Sequence, residues 1–139
     1  MKKTIIYGLC LVLALLGSGC SDDEDTPVDT ALLTGTWQCV SEYDSEDDEW
    51  FDLDYPSYLV INEDHYGYKG LYSPSDRNEY DRLTWSCAGN RFTLHYDGEE
   101  AADILVIEKL TDEELVWRMD CYEEGYHWVE KERYRRYHP

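Results

Sequence analysis

The chain is 139 residues long and carries 31 acidic against 12 basic side chains, a formal charge of −19, with 14% aromatic residues. Phosphate binding needs a face dense in Lys and Arg, so this balance argues against nucleic acid as a partner. The length suits one domain with a modest core.

The first elements in chain order stand outside that domain. Lys2 and Lys3 form a basic start, Ile5 to Leu16 an apolar run, and Gly17-Ser18-Gly19 a small-residue segment. That is the order of a secretory signal, placed at residues 1–19. The apolar run is shorter than the roughly 20 residues a spanning helix needs. Small residues directly before Cys20 resemble the lipobox of bacterial lipoproteins. The resemblance implies cleavage ahead of Cys20 and a diacylglycerol on its sulfur, with the membrane as partner through that lipid. Buried acyl chains hold a protein at about 0.8 kcal/mol per CH₂. The next residues, SDDED from Ser21 to Asp25, resemble the export tag of surface lipoproteins in some Gram-negative bacteria, which implies an outer-membrane protein facing the cell exterior. A solvated spacer is the other reading of the same acids. Residues 20–30 thus form a lipidated Cys and acidic tether, and residues 31–139 the folded domain.

Charge is uneven along the mature chain. Fifteen acids and no Lys or Arg occur from Asp22 to Asp64, whereas Lys131, Arg133, Arg135 and Arg136 crowd the C-terminus. If the two ends meet in the fold, opposite charges meet with them.

Eight short segments rich in Tyr, Trp, Val, Ile and Thr follow the tether: GTWQCVSEY, SYLVIN, HYGYKGLYS, LTWSCAG, RFTLHY, DILVIEKL, ELVWRMDCY and YHWVEKERYRR. Turn residues separate them, among them Glu63-Asp64, Gly89-Asn90, Asp97-Gly98 and Thr111-Asp112. No stretch keeps a helical period. Alternation places Leu83, Trp85 and Cys87, then Phe92 and Leu94, then Leu115, Trp117, Met119 and Cys121 on one face of successive strands, with polar residues opposite. Short connections make neighbours antiparallel. Such strands with a single buried face close into a barrel or fold into a sandwich, because an open sheet leaves unpaired edges. The expected fold is all-β, a single small up-and-down barrel of about eight strands, with a β-sandwich as the alternative.

The GTW of Gly35 to Trp37 resembles the G-x-W that opens the first strand of lipocalins, and LTDEELVWR with ERYRR resembles the closing hairpin of lipocalin-like bacterial lipoproteins. The likeness spans most of Ala31 to His138. It implies a structural role for Gly35 and Trp37 and an Arg of the last strand packed over that Trp, for which Arg133 or Arg135 stands in place. It also implies a small apolar or amphipathic ligand inside the barrel.

An eight-stranded barrel is either filled by side chains or roomy enough for one small ligand. Trp37, Trp85, Phe92, Leu94, Trp117 and Met119 are the inward set, serving as core or as a ligand site. The alternative site is external: Tyr66, Tyr68 and Tyr72 on one face of a strand, with Trp50 and Tyr55 in the preceding loop, as a surface for a glycan or a protein.

Catalysis is not expected. G-x-S-x-G, H-E-x-x-H, C-x-x-C and phosphate-loop patterns are all missing, and no cofactor is implied. His65, His95, His127 and His138 are scattered. Asp44, Glu46 and Asp48 mimic the start of a calcium loop, but Glu49 stands where that loop needs Gly and Tyr55 where it needs Glu, so a solvated acidic turn is the better reading and no metal is expected. Cys39, Cys87 and Cys121 read as core thiols, with Cys87 and Cys121 as the pair to test for a bridge.

Overall fold

A computed structural model describes residues 27–75 and 80–139. The signal segment and Cys20 with its acidic run lie outside these residues. The strands are β1 (Gly35–Asp44), β2 (Glu49–Ile61), β3 (Tyr66–Leu71), β4 (Asp81–Ala88), β5 (Arg91–Tyr96), β6 (Asp103–Leu110), β7 (Glu114–Glu123) and β8 (Tyr126–Arg136). Each pairs antiparallel with its neighbour in sequence, and β8 returns to β1, so the sheet closes as a barrel. Closure removes both edges, which settles the choice between barrel and sandwich.

β2 departs from expectation. It starts at Glu49 instead of Ser57, although its first half contains acids and Pro56. Cross-strand pairing carries it, through Tyr43 opposite Trp50 and Asp44 opposite Glu49. Cys39 lies opposite Ser57 and Ser41 opposite Asp52, so residues 53–56 bulge out of the ladder. Pro56 sits in that bulge, where its missing N–H costs no ladder bond.

The wall is uneven in height. β1, β2, β7 and β8 have 10, 13, 10 and 11 residues, whereas β3 and β5 have 6 each. The β1–β2 and β7–β8 hairpins therefore rise above the rest at one end.

One core fills the barrel, from Leu33, Trp37 and Cys39 through Leu59, Ile61, Leu83, Trp85, Phe92, Leu94, Leu105, Ile107 and Leu115 to Trp117 and Tyr134. Its rings form a file: Trp85 to Phe92 at 5.9 Å between centroids, Phe92 to Trp117 at 5.6 Å, and Trp117 to Tyr134 at 4.7 Å. Gly67 faces this core between Ile61 and Leu83, and a side chain there would collide with the Val60 carbonyl on β2.

The opposite end is sealed by residues preceding β1. A single 3-10 turn, Thr30–Leu32, is capped by Asp29, whose carboxylate accepts from the Ala31 N–H. It delivers the fully buried Leu33 beneath the core. Val28 also packs against the core, and its N–H donates to the Gly89 carbonyl, so ordered packing begins ahead of Ala31.

Candidate ligand site at the open end of the barrel

The two barrel ends are built differently, and the closed one explains the G-x-W motif. The indole N–H of Trp37 donates to the Leu33 carbonyl at 2.9 Å. Arg136 lies over the Trp37 ring at 3.9 Å and donates to the carbonyls of Leu32, Thr34 and Asp112. Gly35, at φ 130°, has no room for a Cβ because the Arg136 guanidinium occupies that space. The arginine over Trp37 is thus Arg136 and neither Arg133 nor Arg135. Register decides this, since Trp37 pairs with Arg136 and odd-numbered β8 residues point outward. Arg133 instead covers Trp50 on the outer wall at 4.2 Å.

At the open end β3 and β8 send charges inward. Lys69 on β3 alternates with the outward Tyr68, and Glu132 on β8 alternates with the outward Lys131 and Arg133. Their side chains meet across the lumen at 2.9 Å, with 23% and 24% of their areas exposed. Glu132 Oε1 also accepts from the Trp117 indole at 3.1 Å, and Oε2 from the Tyr134 hydroxyl at 2.9 Å. Burial pushes the Glu132 carboxyl up, but the Lys69 ammonium and these hydrogen bonds outweigh it and hold the group below its ordinary value. For Lys69, burial acts downward, and the Glu132 carboxylate overcomes it and raises the group. Both stay charged because each neutralises the other.

A cavity of about 150 Å³ lies beside this pair, lined by Leu94, Leu105, Trp117 and Met119 together with Lys69, Tyr96, Asp103, Glu130 and Glu132. Above it the wall splits. The pairing of β1 with β8 ends at Tyr43 and Lys131, while β1 continues along β2 and β8 extends along β7. The cleft between the two hairpins has a volume of about 720 Å³, and it shares Glu130 and Glu132 with the inner cavity. Its walls carry Phe51, Tyr126 and Trp128 alongside Glu42, Asp44, Glu46 and Glu123. Tyr126 and Trp128 stack at 5.8 Å, and Phe51 and Tyr126 are 47% and 56% exposed. Burial first, then Glu132, raises the Glu42 carboxyl.

The inward set divides between these ends. Leu94, Trp117 and Met119 line the cavity, whereas Trp37, Trp85 and Phe92 fill the barrel below it. Sequence reasoning missed Lys69, Glu132, Glu42 and Glu130. Alternation along YGYKG and WVEKERY does mark Lys69 and Glu132 as inward, but the register joining β1 to β8 is needed to place Glu42 with them.

The external aromatics do not assemble into one platform. Tyr68 packs edge-on with Tyr80 at 4.9 Å, next to Tyr58, Val60 and Tyr137. Trp50 lies on β2, not in a loop, and is covered by Arg133; Tyr55 lies in the β2 bulge. Tyr66 and Tyr72 are exposed at opposite ends of β3.

The remaining groups are accounted for locally. Asp44 accepts from the N–H groups of Glu46 and Asp47, and Tyr43 bonds Asp48, so that acidic stretch is a hairpin turn. Ligating atoms of Cys39, Glu42 and Glu132 fall within 4.8 Å of one another. A metal there would have to take Glu132 from three donors beside an ammonium, which does not fit. Cys39, Cys87 and Cys121 are free thiols. The Cys87–Cys121 pair is ruled out by placement: Cys87 adjoins the β4–β5 turn at the closed end, and Cys121 adjoins the β7–β8 turn at the open end.

An eight-stranded antiparallel barrel, plugged at one end beneath a Trp–Arg lock and open at the other, belongs to the class of small closed barrels whose interior is filled by side chains or has room for one small ligand. The chain belongs to the lipocalin-like domain family, whose model matches residues 33–117. It is similar in fold to the crystal structure of a lipocalin-like protein from Bacteroides uniformis, with a TM-score of 0.58 at 13% identity over 76% of this chain and 99% of that one. No curated protein sequence matches it.

Proposed function

We propose that the domain is a binding module that takes a small amphipathic ligand through the open end of the barrel. The observation that carries this reading is that the inner cavity, with Trp117, Leu94, Leu105 and Met119 on its walls, adjoins the larger cleft above it, the two sharing Glu130 and Glu132. The inner space holds only a short apolar group, since pockets enclosing whole drug-sized ligands run to about 300–1,000 Å³. The rest of the ligand would lie in the cleft. Lys69 and Glu132 satisfy each other and serve as the polar floor.

Titration with the neutral fluorophore N-phenyl-1-naphthylamine tests the reading. Enhancement should be saturable in the parent and lost in Met119→Trp, which fills the cavity from a half-exposed position and leaves the barrel intact by circular dichroism. Binding that is absent, or unaffected by Met119→Trp, rejects it.

We further propose that Cys20 carries lipid and that the following acids bring the domain to the outside of an outer membrane. The sequence order of basic start, apolar run, small residues and Cys supports this. Cys20→Ser should release the chain into the soluble fraction, and the parent on intact cells should be degraded by added protease.

A further inference from the structure

Resting on the reading that the open end takes an amphipathic ligand, we propose that this ligand is an organic cation, an amine or quaternary ammonium group on a short apolar body. The charge balance of the opening is the first ground. Among the described residues, its carboxylates are Glu42, Asp44, Glu46, Glu123, Glu130, Glu132 and Asp103, and its cations are Lys69 and Lys131. Both cations are already used. Lys69 is spent on Glu132, and Lys131 pairs with Glu108 at 3.1 Å and lies over Tyr43 at 5.2 Å. Glu42 is half-buried and, among the described residues, has no ion-pair partner. An anion entering here meets uncompensated like charge, and a cation removes it.

The aromatic walls are the second ground. Phe51, Tyr126 and Trp128 stand in the same cleft as those carboxylates. Exposed aromatics in a concave site mark a binding surface. Rings beside carboxylates attract cations doubly, through the negative ring face and through the formal charge. The geometry also orders the ligand: the apolar group enters over Trp117 and Met119, and the cationic head stays level with Glu42, Glu130 and Trp128.

Calorimetric titration of the purified protein with octyltrimethylammonium, octanol and octanoate tests this. The cation should bind about tenfold tighter than the alcohol, and octanoate weakest. Glu42→Gln with Glu130→Gln should abolish the preference, so that the cation binds no tighter than octanol does to the same variant. Glu63→Gln with Glu113→Gln removes the same charge from turns at the closed end and should leave the preference intact. If the first pair compromises the barrel, Glu130→Gln alone, at an exposed position, reports in its place. Equal binding of the three probes overturns the cation assignment while the amphiphile reading stands. Equal loss of the preference in both charge-removed pairs makes it a long-range attraction of an acidic chain and also overturns it. Failure of every probe rejects both readings.

Discussion

The two ends of the barrel solve the same problem with different chemistry. At the closed end a guanidinium lies over Trp37 and satisfies three backbone carbonyls, so a charged group holds a plug that is otherwise apolar. At the open end a Lys–Glu pair spans the lumen beside a cavity, and carboxylates and aromatic rings rise above it. The first arrangement buries Leu33 and Trp37 completely. The second keeps charge at the surface of a partly empty interior, which costs packing and leaves a place to bind. Stability should therefore be concentrated at the closed end and recognition at the open one.

Trp37→Ala should break the contrast most severely. It removes a fully buried ring and its hydrogen bond, at a cost of about 3–5 kcal/mol, read by urea denaturation. Arg136→Met keeps some cover over the ring but leaves three carbonyls without their donor. A loss of about 1–3 kcal/mol is expected, with ligand binding by the folded fraction unchanged. At the open end, Glu132→Gln leaves Lys69 without its counter-ion, and the partial exposure of both groups limits the loss to about 1–2 kcal/mol. Adding Lys69→Met should recover part of that loss, a non-additivity that a double-mutant cycle measures.

Acid sharpens the same comparison. Glu132 is held below its ordinary value, so its stabilisation is present above the unfolded carboxylate value of about 4.3 and is lost as pH falls through the folded one. Lys69 is raised, so its share is full below about pH 10.4 and is lost only as pH climbs through its folded value. Glu42, also raised, acts with the opposite sign to Glu132 and costs stability once it ionises. The melting temperature of the parent should accordingly fall more between pH 5 and pH 3 (about the carboxylate range) than that of the Lys69→Met, Glu132→Gln protein. The smallest effect expected is at the outer wall, where Tyr66→Ser should change stability by about 0.5 kcal/mol or less.

Seven of the eight strands were legible within a residue or two because alternating apolar positions and turn residues bounded them. β2 was not, since its first half reads as acidic loop and is drawn into the sheet only by partners on β1. The lumen-facing aromatics were legible for the same reason of period, but period alone does not say which of them meet empty space. Trp85 and Trp117 look alike in sequence; one belongs to the core near the plug and borders an outer hollow beside His65, and the other walls the inner cavity.

What the sequence by itself determined is an acidic all-β chain with a G-x-W entry, a lumen-facing aromatic stripe and histidines scattered along the chain. Those properties follow from residue type and local period, which need no distant partner. Only the tertiary structure decided that Arg136 covers Trp37, that Lys69 and Glu132 meet, and that Glu42 and Glu130 stand over a cleft. Each of these depends on closing β8 against β1, a contact between the two ends of the domain whose register no local pattern encodes.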